Sequence, residues 1–517
     1  MLDFSDLGTS QPYYFAPESI PMLPSLNLSE DERLLISQLQ ARGELYRSQM
    51  LRTDAYYRGM QVIKNLGIAI PPELQGLRTL VGWARVAVDP IVERLCIDGF
   101  RLPGQTDTDS DLLDVWRLNG MDAEQILGFT DALVMGQAYL VVGSPMEAGD
   151  VPVMNMESPL NLSALWDVRT GKAKAALQSY WEGQTRHAAV HLPNQTIHIA
   201  QNNDYEWVVT DRDAHNFGRV PIVRIANQPR SNMRDGASEI TPELMSLIDA
   251  ACRTLLSMQV AGEFYSVPQK VILGAAESDF QSPDGSMKKA WDTYVSHIIA
   301  LERDEDGNLP TIQQMVPYDP SVFTKVVEMF AAQAASIVRA PAQDFGLYTQ
   351  GNPVSAEAAQ VSEGGRDRKA RMKQNLFGVP MREGMQLVTM FMNGGTLPAD
   401  ARRMEVDWAD PAMFNLAGAS DAITKQIASG AIPAVSDVTQ KRLGYNAIER
   451  ERLEIDRKVD QGQSMLQEIA HSLDAKAFRA DKALTADAAH GAGQPDPNAP
   501  TPAVMPKKMP VSAPANK

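Results

Sequence analysis

Apolar positions recur at helical spacing over two long segments in the middle of the chain, and these are the clearest elements that the sequence predicts. In the first segment Thr241 can serve as the N-cap, and Pro242 occupies the first helical position, where its missing N–H needs no intrahelical partner. This helix runs to about Tyr265, or about 36 Å at about 1.5 Å per residue. The second begins at Ser321 and ends at Pro341. One apolar face is expected on each, formed by Leu244, Leu247, Ile248, Ala251, Leu255 and Met258, and by Phe323, Val326, Val327, Phe330, Ala334, Ile337 and Val338.

Between these helices lies a mixed segment, Gln269–Asp319, with a β-like run at Lys270–Leu273 and an acidic loop at Glu302–Asp306. The loop lacks the glycine and the terminal glutamate of a calcium-binding loop, so a solvated turn is the favoured interpretation. The order helix, compact insert, helix predicts a stalk that carries a small domain at its end.

The N-terminal part alternates between helical and extended patterns. Residues 1–27 are rich in proline and aromatics and are interpreted as an arm. Ser29 and Glu32 have capping-box spacing and begin an amphipathic helical segment that extends to about Lys64. Further helices are predicted at about Leu77–Leu95, kinked at Pro90, and over Ser110–Met135 with a break near Asn119-Gly120.

A β-rich part of roughly 90 residues follows, because short β-type runs alternate with turn residues over about residues 138–227. The predicted strands are Ala138–Val142, Ala175–Trp181, His187–His191, Thr196–Ala200, Glu206–Thr210 and Val220–Ile225.

The C-terminal third is predicted to be helical. A loop containing glycine and proline, Gln343–Pro353, precedes a long helix from Ser355 to about Met392, which is expected to be flexible or kinked at Gly364-Gly365 and Pro380. Shorter helices are predicted at Ala419–Ser429, Ser436–Leu443 and Ala447–Ala470, and the Ala/Pro-rich tail is predicted to be disordered from about Ala483. The expected fold class is α+β, predominantly helical.

Composition and charge narrow the function classes. The 517 residues are 44% hydrophobic and 22% charged, which is typical of a globular protein, and the net charge is −16. An acidic balance disfavours a surface that grips nucleic acid, since phosphates are bound mainly by Lys and Arg. No uncharged apolar run approaches about 18 residues, so no transmembrane helix is expected. Two cysteines, Cys96 and Cys252, are too few for a disulfide framework, which favours a reducing compartment.

The search for catalytic chemistry is negative, so no catalytic, cofactor-binding or metal-binding residue is predicted. Gly171-Lys172 lacks the upstream glycine and the following hydroxyl residue of a phosphate-binding loop. His187 and His191 share a strand face about 13 Å apart, too far for one metal ion. The basic run Arg366–Lys373 is interpreted as a solvated helix face or a subunit contact, with contact to a polyanion as the alternative.

Several stretches resemble a known family. They are WARVAVDPIVERLCIDGFRL from Trp83, ILGFTDALVMGQAYLVVG from Ile126, SAEAAQVSEGG from Ser355 and, most specifically, the run GRVPIVRIANQPRSNMRDGASEITPELMSLIDAACRTLLSMQVAGEFYSVPQKVILG from Gly218. Together with the order of segments over about residues 28–470, they resemble the portal proteins of tailed bacteriophages, in the class typified by siphophages of Gram-positive and actinobacterial hosts.

The resemblance implies a ring of twelve copies at one capsid vertex, through which double-stranded DNA enters and leaves, and a portal fold with named regions. The implied regions are an N-terminal arm (1–27), a wing (28–239), a stem helix (240–268), a clip (269–319), a second stem helix (320–340), a tunnel loop (341–354), a long wing helix with its return (355–418), a crown (419–470) and a tail (471–517).

The resemblance also implies sites and partners. DNA-proximal tunnel-loop residues would be Gln343, Asp344, Phe345, Gly346, Leu347, Tyr348, Thr349, Gln350, Gly351 and Asn352, and partner-facing clip residues would be Lys288, Lys289, Glu302, Asp304, Glu305 and Asp306. Implied partners are further copies of the chain, double-stranded DNA, the large terminase subunit, a head–tail adaptor, the major capsid protein and scaffold protein, but no membrane. The chain would be assembled in the host cytoplasm and reside in the virion. The alternatives are another head–tail connector ring or, in a different class, a cytoplasmic enzyme without a recognised motif.

Overall fold

The computed structural model describes residues 25–63, 79–105, 108–145, 147, 149–202, 207–215, 217–265, 270–273, 311–314, 319–347, 356–411, 423–445 and 449–467. The chain divides into two compact units, Met1–Gly444 and Tyr445–Lys517. The first unit contains both sheets of three or more strands and the main hydrophobic core. In the second, residues 449–467 form a helix.

The first helices begin where the capping signal predicted. Helix α1 (Glu30–Glu44) has the capping box: the Glu32 N–H donates to the Ser29 hydroxyl at 3.3 Å, and the Ser29 N–H donates to the Glu32 carboxylate at 2.9 Å. Hydrogen bonding from Arg212 helps to lower the pKa of Glu32 to about 2. The predicted single segment is in fact two helices, because the chain turns at Tyr46 before α2 (Arg47–Arg58).

Three more helices form the next layer. Helix α3 (Trp83–Val92) starts later than predicted and includes Pro90 without ending there. Helices α4 (Ser110–Leu118) and α5 (Met121–Met135) confirm the predicted break, because Gly120 adopts a left-handed φ of 63° between them. Their apolar faces pack into the main core around Phe100, Trp116 and Phe129.

The β-rich part forms two sheets. The strands are β1 (Ser25–Leu26), β2 (Ile97–Arg101), β3 (Gln137–Gly143), β4 (Val153–Glu157), β5 (Leu162–Trp166), β6 (Ala173–Glu182), β7 (Thr185–His191), β8 (Thr196–Gln201), β9 (Trp207–Asp213) and β10 (Ile222–Ala226). The larger sheet has the order β1-β9-β8-β7-β6-β5, the smaller has the order β10-β3-β4, and β2 belongs to neither. All six predicted strands are present, whereas β1, β2, β4 and β5 were missed.

The larger sheet packs one face on α1, where Leu177, Val190 and Ile199 surround Ile36 and Leu39. Its edge strand β1 pairs in parallel with β9, so the predicted N-terminal arm leaves the described structure at that edge. Residues 1–24 of the arm lie outside the described residues.

The helix pair predicted around the insert is present. Helix α6 (Pro242–Tyr265) has the predicted cap, since the Leu244 N–H donates to the Thr241 hydroxyl at 3.4 Å. Strands β11 (Lys270–Leu273) and β12 (Thr311–Gln314) pair antiparallel in the insert. Helix α7 (Ser321–Val338) then packs against α6.

Helix α8 (Ala356–Met392) is a single helix of 37 residues that continues through Gly364-Gly365 and Pro380. It crosses β3 so closely that a Cβ on Gly384 would lie 2.1 Å from a methyl carbon of Leu140, which explains the glycine at this position. A short strand, β13 (Glu405–Trp408), then returns to pair antiparallel with β2.

The remaining described helices are residues 423–428, Asp437–Arg442 and 449–467. The predicted start at Ala419 lies outside the described residues.

Helices α6 and α7 are long and apolar enough, by length and composition, to cross a membrane over Pro242–Gly262 and Ser321–Val338. Such evidence is weak, because core helices pass the same test, and Leu244, Ile248, Ala334 and Val338 of this pair are buried in the main core. The sequence-based expectation of no membrane-spanning helix therefore stays a prediction.

Asp131 on α5 is the basis of a pH-dependence prediction, because burial raises the pKa of its carboxyl to about 6. In the unfolded chain this pKa is about 4. A raised pKa means that the folded state holds the proton more tightly, so stability is lost as the pH rises from about 4 to about 6. We expect Asp131→Asn to raise the free energy of unfolding by about 2 kcal/mol at pH 7.5 and by almost nothing near pH 3.5.

Urea unfolding of both proteins across this pH range measures the difference. The exposed Asp114→Asn variant on α4 is the control and should follow the wild type at every pH. A gain of stability for Asp131→Asn that is independent of pH would contradict the account.

Candidate functional site

One end of the helix pair α6–α7 is embedded in the main hydrophobic core. The beginning of α6 contributes Leu244 and Ile248 to the main core, and the end of α7 contributes Ala334 and Val338. Farther along α6, Leu256 and Val260 form a separate small cluster. The main core therefore holds the pair at the beginning of α6 and at the end of α7, and the predicted stalk stays a prediction.

Helix α7 has apolar residues on two opposite faces. Its inner face is formed by the buried small residues Ala331, Ala334 and Ala335. The predicted single face was wrong in one respect, because Ile337 lies outside it and is 42% exposed. Val322 (61% exposed) and Met329 (49% exposed) lie on that outer side at helical spacing. A helix that is apolar on both sides is expected to be covered on both sides.

A buried ion cluster holds the start of α6 against α8. We call it the Glu239 cluster; its members are Glu239, Lys369, Lys373 and Asn227. The Lys369 ammonium lies 2.7 Å from one oxygen of the Glu239 carboxylate, and the Lys373 ammonium lies 2.5 Å from the other. Lys373 also donates to the Asn227 amide oxygen. The Lys373 side chain is fully buried, so its charge depends entirely on these partners.

The charges of this cluster are coupled. Burial would raise the pKa of Glu239, but the two neighbouring ammonium groups outweigh it and lower that pKa to about 2. Burial lowers the pKa of Lys373, and the Glu239 carboxylate opposes this effect. The Glu239 carboxylate therefore remains ionised at neutral pH. Because Glu239 lies two positions before the α6 N-cap, its ion pairs join the start of α6 to α8.

The segment that follows α7 is folded at its beginning. Arg339 ends the helix with a left-handed φ of 61°, and Ala342–Phe345 form one 3₁₀ turn that ends at Gly346, with a φ of 86°. Phe345 is 5% exposed, and its ring lies 5.8 Å from the ring of Trp83 on α3.

A second ion network fixes this turn to α8. The Asp344 carboxylate accepts from Arg366, which also pairs with Glu363 at 3.3 Å. Arg94, just after α3, pairs with Glu363 at 3.0 Å and with Asp367 at 3.3 Å. Helix α8 therefore holds the start of the loop through Arg366, at a site one to two turns before the Glu239 cluster.

Comparison with known proteins identifies the family. A family model described as "Phage portal protein, SPP1 Gp6-like" matches residues 36–451. The chain belongs to this portal protein family. It is 33% identical over 416 residues to the portal protein of Mycobacterium phage D29, covering 78% of this chain and 84% of that protein. It is 30% identical over 440 residues to the portal protein of Mycobacterium phage L5, covering 83% and 89%.

The resemblance inferred from the sequence is thus confirmed, and the portal family replaces both alternatives, the connector ring and the enzyme. Portal proteins are structural virion components at a capsid vertex, where they provide the channel for genome packaging. The family is not an enzyme family.

In this portal protein the basic run Arg366–Lys373 is only in part the solvated helix face expected from the sequence. Arg366, Lys369 and Lys373 point inward to Asp344 and Glu239, so they are neither a solvated face nor a surface for a polyanion. Arg368, Arg371 and Met372 of the same run are exposed, and Arg371 pairs with Asp410 with side-chain exposures of 58% and 61%. The spacing 366, 370, 373, 377, which includes buried Ala370 and Phe377, was the available signal that this face is internal.

The predicted site residues of the portal fall into three groups. Gln343 and Gly346 are exposed and Leu347 is half-buried, whereas Asp344 and Phe345 anchor the turn. Tyr348, Thr349, Gln350, Gly351 and Asn352 lie outside the described residues, as do the six clip residues Lys288, Lys289, Glu302, Asp304, Glu305 and Asp306. Contact with DNA or with partners stays a prediction for all of them.

Within the described part of the chain, no group of three or more His, Cys, Asp or Glu side chains could hold a metal ion. His191 on β7 is buried, and burial lowers its pKa to about 4, so its imidazole is neutral at physiological pH. The Gln178 amide oxygen accepts a hydrogen bond from the Nε2–H of this ring at 3.2 Å, which is a structural role in the sheet.

Removing one charge of the Glu239 cluster should destabilise the portal subunit. We expect Lys373→Met to lower the free energy of unfolding by about 3 kcal/mol or more, because it leaves a buried carboxylate with one fewer partner. The exposed ion pair on the same helix supplies the control. We expect Arg371→Met to change the free energy of unfolding by less than about 0.5 kcal/mol.

Urea denaturation of the full-length chain at neutral pH measures both values. Equal effects of the two substitutions would contradict the role assigned to the Glu239 cluster.

Proposed function

We propose that twelve copies of this portal protein form a closed ring around a channel for double-stranded DNA. The helix pair α6–α7 is the stem, with residues 240–268 and 320–340 as its two parts. Residues 28–239 and 355–418 form the wing, and residues 419–470 form the crown. Partners of the ring are the large terminase subunit during packaging, the head–tail adaptor afterwards, and the major capsid and scaffold proteins during assembly in the host cytoplasm.

The outer apolar side of α7 is the observation that carries this proposal. Val322, Met329 and Ile337 lie opposite the face with which α7 packs into its own subunit. Burying apolar surface contributes about 25 cal/mol per Å². A neighbouring copy around a ring covers such a surface, because head-to-tail contacts close into rings when the rotation permits.

The insert between the stem helices, residues 269–319, is proposed as the clip that faces terminase and the adaptor. Residues 240–319 contain 12 acidic and 5 basic side chains. A negative channel wall repels the duplex and lets it slide, whereas a basic wall would hold the phosphates. The net charge of −16 therefore suits a conduit better than a DNA clamp. Energy for DNA movement is supplied by terminase.

Residues 341–354 are proposed as the tunnel loop, which approaches the DNA between two fixed ends. Its first end is the 3₁₀ turn held by Phe345 and Asp344, and its second end continues into α8. Asp344 and Phe345 serve as the base of the loop, and residues 346–352 serve as the part that meets DNA.

The stem assignment predicts that a charge on the outer side of α7 blocks ring formation. We expect Met329→Asp to leave the subunit folded, because the Met329 side chain is 49% exposed in the single chain. In the ring a neighbouring copy would bury the new carboxylate, so its desolvation should reduce the ring fraction at least about tenfold. Native mass spectrometry measures the ring fraction, and circular dichroism measures the fold.

The control for this substitution is Ala332→Asp. Viewed down the axis of α7, Ala332 lies on the polar flank of the helix, between Glu328 and Lys325. It should assemble nearly as the wild type does. Normal rings from Met329→Asp, or equal loss from both variants, would contradict the stem assignment.

The loop assignment predicts that deletion of Gly346–Gly351 preserves ring assembly and impairs packaging or retention of DNA. Phe345 and Asp344 remain, so the anchored turn and the ring interfaces are retained. Packaging in a phage complementation assay, with ring formation checked by electron microscopy, measures the effect. Unchanged packaging, or loss of the ring itself, would show that the assignment is wrong.

A further inference from the structure

A cleft with an excess of positive charge lies between the β10 strand and α8. We call it the basic cleft; it has a volume of about 330 Å³, and its lining includes Trp166, Lys172, Arg224, Arg234, Leu376 and Val379. Lys172 and Arg234 are exposed, and neither forms an ion pair with a carboxylate among the described residues. Glu383 also lines the cleft, and its carboxylate is paired with Arg219.

Arg224 is the third cation of the basic cleft, and it shares its carboxylate partner with another arginine. Arg224 pairs with Asp235 at 2.6 Å, and Arg42 pairs with the other oxygen of the same carboxylate. One carboxylate therefore serves two guanidinium groups, and burial lowers the pKa of Arg224 while Asp235 opposes this effect. The cleft is suited to an anion.

The apolar lining narrows the class of anion. Leu376 and Val379 of α8 form an apolar wall, and Val379 is 53% exposed. Trp166 is already stacked with Tyr139, with centroids 6.3 Å apart, and lies under the Arg224 guanidinium at 4.5 Å. Its ring is thus committed to partners within the chain, which disfavours stacking of a nucleobase. The lining fits carboxylates that flank an apolar side chain.

The chain itself contains such a segment. Residues 2–7 read Leu-Asp-Phe-Ser-Asp-Leu, and residues 1–24 contain three acidic side chains and no basic one. Phe4 lies between Asp3 and Asp6, which gives the arrangement of charge and apolar surface that the basic cleft requires.

The sheet topology brings this segment within reach. The arm joins the described structure at β1, one edge of the six-stranded sheet, and Trp166 is at the end of β5, the opposite edge. Five strand spacings of about 4.8 Å separate these edges by about 24 Å. The 18 residues from Leu7 to Ser25 can span up to about 60 Å when extended. Linkage within one chain also gives a millimolar effective concentration for a short linker.

We propose that the acidic segment Leu2–Leu7 docks in the basic cleft of its own chain. Asp3 and Asp6 face Lys172 and Arg234, and Phe4 packs on Leu376 and Val379. Docked in this way, the segment covers the basic cleft. This contact is independent of the channel function and of the number of copies in the ring.

Disulfide trapping in the full-length chain tests the contact. In a Cys96→Ser background, which removes the exposed native cysteine, Ser5→Cys is paired with Val379→Cys and oxidised mildly with oxidised glutathione. We expect a disulfide to form between these two cysteines within one chain. The control pair is Ser5→Cys with Leu118→Cys on α4, and its disulfide should form at least about fivefold more slowly, because docking raises the local concentration of residue 5 only near the cleft. Non-reducing electrophoresis separates this product from crosslinked chains.

Charge reversal provides the second arm of the test. Lys172→Glu with Arg234→Glu should slow trapping at least about fivefold, and adding Asp3→Lys with Asp6→Lys should restore it, as expected for directly coupled charges. Both cleft residues are exposed, so the fold is expected to persist, and circular dichroism checks it. Equal trapping rates for the two cysteine pairs, failure of the reversal to be rescued, or crosslinks only between chains would overturn the proposal.

Discussion

The Glu239 cluster is the interaction on which the arrangement of the first unit depends. It joins three elements that are distant in sequence: the end of β10 through Asn227, the approach to α6 through Glu239, and the middle of α8 through Lys369 and Lys373. Because the Lys373 ammonium has no access to water, α8 can sit on the sheet in only one register without leaving a buried charge unpaired. The direction in which α6 leaves the body is therefore fixed by the same helix.

Helix α8 also fixes the segment after α7. The residues just before α6 and just after α7 are therefore both attached to α8. Arg366 holds Asp344, and Phe345 packs on Trp83, which leaves the described start of the loop firmly attached. The outer side of α7, by contrast, is left apolar and uncovered in the single subunit, and the ring assembly proposed above is what covers it.

The sequence predicted local features well because they depend on neighbouring residues. The capping box at Ser29, the proline start of α6 and the break at Gly120 were all recognisable from residue type and spacing. Strands β2 and β13 were missed because their signal is their pairing, which joins residues about 300 positions apart. The inward orientation of Arg366, Lys369 and Lys373 was missed because charged residues are normally solvated, and their partners Asp344 and Glu239 are not adjacent in sequence. Contacts with DNA and with other copies depend on surfaces that no single chain completes.

A reconstruction of the assembled protein by electron cryomicroscopy, without imposed symmetry, tests the central claim most directly. The account predicts a closed ring with an axial channel, in which α6 and α7 surround the channel and Met329 is covered by a neighbouring copy. A closed oligomer without an axial channel, or a ring in which the outer side of α7 faces solvent, would contradict it.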